Sequence, residues 1–297
     1  MDDTVRKLLD LVVSDIQSHH SSCRSEDIHR PFILGVTGLQ GCGKSAIASR
    51  LVSVLSQHYG INAVNISLDD LYKTHQERKE LREKYPNNKL LKVRGQPGTH
   101  DLRLARSFFD QFSACSVPDL SETVSVPSFD KSLFWGDGDR LPEHMWRRIK
   151  NQPPIQVLIF EGWCLGFRPL TGNELKRRWD DAQGRRAESD KNRQHVDALS
   201  IESRFLTTTL ANHTLEDLEF VNECLREYVQ DFMGPQHMDI LIHLDTPELV
   251  NVYTWRMEQE RVMRAIKGTS MTDDEVVEFG RSTIPSHSGL HQCFDLD

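Results

Sequence analysis

The stretch Gly38-Leu39-Gln40-Gly41-Cys42-Gly43-Lys44-Ser45 fits the pattern G-x-x-x-x-G-K-[ST], between an almost continuous apolar run and a helix-forming segment. Glycines let such a loop fold so that successive backbone N–H groups point inward, and the following helix adds the positive end of its dipole. The chemistry is phosphate binding. The amides cradle a nucleotide's phosphates, the Lys44 ammonium reaches the β and γ groups, and the Ser45 hydroxyl is a ligand for Mg2+. Cys42 reads as a small spacer. A glycine-rich turn without a ligand is the competing reading, and the flanking strand and helix weigh against it.

Acidic residues follow two further apolar runs. In Ser67-Leu68-Asp69-Asp70-Leu71-Tyr72, adjacent carboxylates stand at the C-terminal edge of a sheet, where open α/β folds bind ligands. Either can take the proton of an acceptor hydroxyl or hold Mg2+ through water; the alternative for each is an Asp capping the next helix. Glu161 ends the run IQVLIF, at the position where an acidic side chain organises Mg2+ or its waters. A surface glutamate is the alternative, disfavoured by the buried character of that run.

Four runs must position these groups: PFILGVTG (31–38), INAVNISL (61–68), IQVLIF (155–160) and DILIHL (239–244). Each has strand length and the near-continuous apolar character of a strand covered on both faces of a parallel sheet. Helical spacing lies between them, over 45–58 before Gly60, and at the N-terminus over 3–18, where Val5, Leu8, Leu9, Val12, Val13 and Ile16 recur. Thr246 with Pro247, and Thr272 with Glu275 three residues on, mark two more helix starts. The alternation predicts an α/β fold with a doubly wound, mostly parallel sheet flanked by helices. Residues 173–205, dense in Lys, Arg, Asp and Gln, read as a charged mobile insertion. Interleaved acids make its 176–186 segment a solvated face rather than a nucleic-acid contact. His19 and His20 fall in the polar stretch 18–30, without metal spacing, and are expected to face solvent.

Composition narrows the function classes. The 297 residues carry 36 Lys and Arg against 44 Asp and Glu, a net charge of −8, which argues against a surface built to neutralise nucleic-acid phosphates. With 38% hydrophobic and 27% charged residues the chain can bury a sizeable core. Cys23, Cys42, Cys115, Cys164, Cys224 and Cys293 lie far apart, without CxxC pairs, and read as reduced thiols. The acidic start lacks a secretory signal, and no run approaches the roughly 18 apolar residues of a membrane span. A cytoplasmic protein without a membrane partner is expected, small enough at 34.2 kDa to enter the nucleus as well.

Together these segments resemble the branch of P-loop kinases that includes uridine kinase, phosphoribulokinase and bacterial pantothenate kinase, which phosphorylate hydroxyls of small metabolites. SLDDLYKTHQER, RGQPGTHDLRLA, VPSFDKSLFWGDGDR, FEGWCLGFRPL and YTWRMEQERVMR narrow the match. Over residues 30–280, apart from the charged insertion, the chain resembles the plant and fungal D-glycerate 3-kinase family and its fungal ATP-binding relatives. The resemblance implies a P-loop NTPase fold with lid and substrate-loop insertions, and ATP with Mg2+. It aligns Asp69 with the catalytic base, leaving Asp70 as fallback, and Glu161 with the acidic residue at the metal. The helix bearing Arg256, Arg261 and Arg264 resembles the lid, with Arg261 and Arg264 as its expected phosphate ligands; a solvated face shared with Glu258 and Glu260 is the alternative.

A glycerate carboxylate calls for a cationic partner, and Arg94, Lys131, Arg140 and Arg168 all occur in the family-like loops. A turn at Gly95, Pro97 and Gly98 either presents His100 and Asp101 to the substrate or places Asp101 as a helix N-cap. Phe129, Phe134 and Trp135 either shield the site from water or pack. The expected division is an N-terminal helix and linker (1–30), a P-loop kinase domain (31–283) and a tail (284–297). That tail, where Ile284-Pro285 leads into SHSGLHQCFDLD, departs from the family pattern. The function expected is transfer of the γ-phosphoryl of ATP to D-glycerate. The alternatives are a kinase of the same fold acting on a pantothenate-, uridine- or sugar-phosphate-like acceptor, and a nucleotide-binding protein without turnover. A small hydroxy acid is the expected partner, with no nucleic acid; oligomeric state is not legible in one sequence.

Overall fold

The computed structural model of the chain describes residues 3–25, 28–112, 115–116, 121–192, 210–245, 251–267, 272–274 and 276. In chain order the first half runs α1 (Asp3–Ser25), β1 (Ile28–His29), β2 (Phe32–Gly38), α2 (Lys44–Tyr59), β3 (Ala63–Ser67), α3 (His75–Lys84), α4 (Leu102–Asp110) and β4 (Cys115–Ser116). There follow β5 (Thr123–Val126), β6 (Phe129–Asp130), β7 (Asp139–Arg140), β8 (Arg147–Lys150), β9 (Val157–Glu161), α5 (Gly172–Asn192), α6 (Leu215–Tyr228), β10 (Ile240–Leu244) and α7 (Asn251–Lys267).

The central sheet has the order β10-β2-β9-β3 with every pair parallel. Its strands are mainly apolar, the inner pair β2 and β9 being buried along its whole length, and alternate side chains enter two different cores. Phe32, Leu34, Val36, Val157 and Ile159 pack with α1 and α2, whereas Ile33, Leu158 and Phe160 pack with Phe108 of α4 and Leu218, Val221 and Leu225 of α6. This is the expected doubly wound sheet. Gly60 closes α2 in the left-handed conformation, its N–H donating to the Leu55 carbonyl.

Two expectations are corrected. Helix α1 does not stop at residue 18 but continues to Ser25, because the two histidines are tied down rather than solvated. His19 Nε2 bonds the Arg30 carbonyl at 2.8 Å and His20 Nε2 the Gln156 carbonyl at 3.0 Å. The first part of the charged insertion, for which no regular element was expected, is helix α5. Leu175 and Ala182 are buried, and Trp179 donates its indole N–H to the His213 carbonyl at 2.9 Å, so one narrow stripe anchors an otherwise polar helix. Residues 193–205 of that insertion, the Thr246-Pro247 start, Glu275 of the capping pair and the tail from Ile284 lie outside the described residues. Among the described residues no helix is long and apolar enough to cross a membrane.

Between β3 and β9 the chain builds a wall from α3, α4 and the antiparallel pairs β5–β8 and β6–β7. Arg78 of α3 is buried and pins this wall, donating to the Gly138 carbonyl at 2.6 Å and to Asp137 Oδ1 at 2.8 Å. Arg82 and His75 reach Asp137 Oδ2 from the same helix, at 3.1 and 2.9 Å.

Candidate active site

The loop between β2 and α2 lies open to an anion. Gly43 sits at the N-cap with φ 91, no side chain caps the helix, and its first turn holds no acid, so the leading N–H groups and dipole end remain available. At Gly38 a Cβ would stand 2.6 Å from the Leu244 carbonyl oxygen, so only glycine lets β2 turn beside β10 there. Lys44 folds over the loop, its Nζ donating to the Gly38 and Leu39 carbonyls at 2.9 Å each.

Strand register sets the acids at one level: Glu161 pairs with Val36 on one side and with Ser67 on the other. Glu161 is 3% exposed, and Ser45 Oγ donates to its Oε1 at 2.7 Å. Among the described residues no cationic side chain pairs with it. A buried carboxylate satisfied only by a hydroxyl suits a cation at that point. Among the described residues no cluster of His, Cys, Asp or Glu side chains could hold a metal alone. Ser45 and Glu161 therefore fit Mg2+ in its usual manner, with the remaining ligands drawn from phosphate and water.

A 3-10 turn over Leu68–Leu71 decides between the paired aspartates. Ser67 caps it, and Asp70 Oδ2 accepts the Ser67 N–H at 3.1 Å, so Asp70 takes the capping role and points back into the turn. Burial, with Asp69 and Glu161 nearby, pushes the Asp70 carboxyl up to about 6 against the pull of backbone N–H donors. Asp69 instead faces the cavity. Its Oδ1 accepts from the Tyr72 hydroxyl at 2.9 Å and its Oδ2 from the Lys131 ammonium at 2.5 Å. Burial alone would raise the Asp69 carboxyl, but the Lys131 charge and these hydrogen bonds outweigh it and hold it down at about 2.

Behind Asp69 stands a buried array. The Tyr228 hydroxyl accepts the Gly98 N–H at 2.7 Å and the His100 N–H at 3.1 Å. With both lone pairs engaged, its proton goes to His100 Nδ1, 3.1 Å away, which makes His100 the Nε2–H tautomer. Burial pushes the His100 imidazole down to about 3, against the attraction of Asp69, so the ring is neutral. It stacks on Tyr72 with ring centroids 4.4 Å apart. His100 thus braces the tyrosine that holds Asp69, and does not line the cavity itself.

Lys44, Ser45, Asp69, Glu161, Arg94 and Lys131 converge on one cavity of about 1150 Å³, room for a nucleotide and a small acceptor together. Arg94 is fixed: its Nη1 donates to the Gly136 and Asp137 carbonyls at 2.5 and 2.9 Å, and its guanidinium lies 5.7 Å from the Phe129 ring centre. Arg140 and Arg168 lie outside the lining. Arg140 braces the wall through Asp101 at 2.7 Å, while Asp101 caps α4, and Arg168 pairs with Glu174 at 3.9 Å. On α7, Arg261 pairs with Asp273 at 2.5 Å and Arg264 is exposed; neither lines the cavity, whereas Arg256 does, paired with buried Glu260 at 2.6 Å. Phe129 packs edge-on to Tyr72, and Phe134 stacks on His75 with centroids 3.9 Å apart. Fully exposed Trp135, at φ 54, stands on the rim.

Sequence reasoning passed over Tyr72, Asp137, Trp163 and Glu260, all of which line the cavity. The signal was weak: Tyr72 and Trp163 are lone aromatics beside the acids that drew attention, and Asp137 is one more acid in a polar loop.

No family model matches the chain. It is 35% identical to the uncharacterized kinase mug58 of Schizosaccharomyces pombe over 263 residues, covering 87% of this chain and 80% of that protein. It is 32% identical over 260 residues to the probable ATP-dependent kinase TDA10 of Saccharomyces cerevisiae, covering 86% and 77%. Among solved structures, D-glycerate 3-kinase from Cryptococcus neoformans superposes with a TM-score of 0.80 at 31% identity, over 99% of this chain and 89% of that one. The phosphate cradle, the parallel sheet that carries it and these likenesses agree: the chain belongs to the D-glycerate 3-kinase family of P-loop kinases, alongside the fungal kinases mug58 and TDA10.

Proposed function

We propose that the protein transfers the γ-phosphoryl group of Mg-ATP to the primary hydroxyl of D-glycerate. One observation carries the reading: an ionised carboxylate, Asp69, and two cations, Arg94 and Lys131, share a cavity with the phosphate cradle. An acceptor bearing a hydroxyl and a carboxylate matches that set. Arg94 and Lys131 are charge partners for the carboxylate, and Asp69 is the base for the hydroxyl. The likeness to the Cryptococcus enzyme supports the same acceptor.

The loop amides and Lys44 bind the phosphates and stabilise charge that develops on them. Ser45 and Glu161 would hold Mg2+, which would supply neutralisation of the charge that develops on the phosphates. Asp69 accepts the hydroxyl proton as the new oxygen–phosphorus bond forms and the bond from the γ-phosphorus to the bridging oxygen breaks, the electron pair leaving with ADP. Trp163 and Tyr72 line the cavity beside Asp69, with the Phe129 ring packed edge-on against Tyr72, and give the acceptor an apolar wall.

ADP release with Mg-ATP should be measured across D-glycerate, pantothenate, uridine and ribulose 5-phosphate. Turnover that is largest with glycerate is expected. Activity on another acceptor with none on glycerate would reject the assignment, and nucleotide binding without any phosphorylated product would reject the enzyme.

A further inference from the structure

Asp69 as it stands is a poor base. Both carboxylate oxygens already accept hydrogen bonds, and the charge beside it holds the acid far below the range of an effective proton acceptor. Its two partners differ in kind. Tyr72 is 3% exposed, stacked on His100 and set in the wall. Lys131 follows the short strand β6 with its side chain 56% exposed, and its ammonium contacts Asp69 alone among the bonds of the described residues. The neighbouring Asp130 is occupied with the Ser132 N–H and hydroxyl at 2.8 and 2.6 Å. Lys131 is therefore a point charge on a flexible stem with one tether, in contrast to Arg94, which is held by two carbonyls and an aromatic face.

We propose that Lys131 is a positioning residue that keeps Asp69 from acting until an anionic acceptor arrives. The ammonium leaves Asp69 Oδ2 for the acceptor's carboxylate, and the freed oxygen takes the acceptor's hydroxyl proton. The proposal rests on the kinase reading above, with Asp69 as base. The O–H bond breaks to Asp69, the alkoxide oxygen bonds the γ-phosphorus, and the bridging bond breaks toward ADP; no redox partner is involved. Two properties follow. Water meets a base already engaged, so ATP is spared hydrolysis while no acceptor is bound. An acceptor without an anion fails to release the base, which sets specificity for hydroxy acids over neutral alcohols.

The test uses the full chain with Mg-ATP and reads inorganic phosphate release without acceptor, together with acceptor KM and kcat. Lys131→Gln should raise acceptor-independent phosphate release about tenfold and raise the KM for glycerate at least as much, with a smaller change in kcat. Lys131→Arg should restore slow release, and Lys131→Gln combined with Asp69→Asn should abolish the gain. In the wild type, D-lactate, which has the carboxylate but lacks the primary hydroxyl, should raise phosphate release, and in Lys131→Gln it should not. Wild-type release from the single variant, undiminished release from the double variant, or no hydrolysis in any protein would overturn the proposal. The two readings fail separately. Glycerate turnover with no gain in Lys131→Gln keeps the acceptor and removes the latch. A gain in hydrolysis without glycerate turnover keeps the latch and changes the acceptor.

Discussion

Asp70→Asn should alter how stability depends on pH, and the size of the change follows from where Asp70 sits. In the folded protein its carboxyl is raised to about 6 from the ordinary 3.8 by burial and by Asp69 and Glu161. Between those values the folded state binds more protons than the unfolded one, so Asp70 contributes stability at low pH that is lost as pH rises toward 6. Each pH unit in that window is worth about 1.4 kcal/mol. From about pH 5 to about pH 8 the wild type should therefore lose about 1.4 kcal/mol that the asparagine variant keeps. The variant also loses one carboxylate acceptor for a backbone N–H, costing about 1 kcal/mol, but that cost does not change with pH and cancels in the difference. Urea unfolding of both proteins at the two pH values measures it; in a thermal scan it corresponds to about 3 to 5 °C. Parallel stability profiles would refute the placement of Asp70 as a buried cap, and with it the assignment of the base to Asp69.

Three further outcomes are expected. Lys44→Ala should lower phosphoryl transfer about 10²- to 10³-fold with little change in melting temperature, because the ammonium bonds loop carbonyls and packs nothing; steady-state kinetics beside a thermal scan decides it. Glu161→Gln keeps an acceptor for Ser45 but removes the charge, and should raise the Mg2+ concentration for half-maximal rate about tenfold or more in a metal titration. Tyr228→Phe leaves the Gly98 and His100 N–H groups and His100 Nδ1 without their shared partner. It should cost about 2 to 4 kcal/mol in denaturant unfolding, and a loss below about 0.5 kcal/mol would contradict the network.

The parallel strands and phosphate loop were legible in the sequence because each rests on a local pattern. An apolar run marks a strand covered on both faces, and the glycine spacing marks a cradle wherever it follows such a strand. The local pattern left Asp69 and Asp70 equal and only the family resemblance ranked Asp69 first, since the choice lies in the phase of a single 3-10 turn and in Lys131, 62 positions away. The same holds for the arginines. Arg94, Arg140 and Arg168 look alike in family-like loops, but only the fold shows that Asp101 takes Arg140 and that Arg94 reaches the cavity. Helix α5 was missed because its buried stripe is too thin, one leucine and one alanine beside a tryptophan, to register against its charge.

Trp163 has a consequence beyond lining a wall. It follows Glu161 by two residues; its carbonyl accepts the Thr37 hydroxyl at 3.3 Å and its indole donates to the Gly95 carbonyl at 2.9 Å. One residue, through its main-chain carbonyl and its indole, thus staples the segment bearing Arg94 to the strand ends beside the phosphate loop. The two halves of the reaction share a single chassis, and a displacement of either transmits to the other.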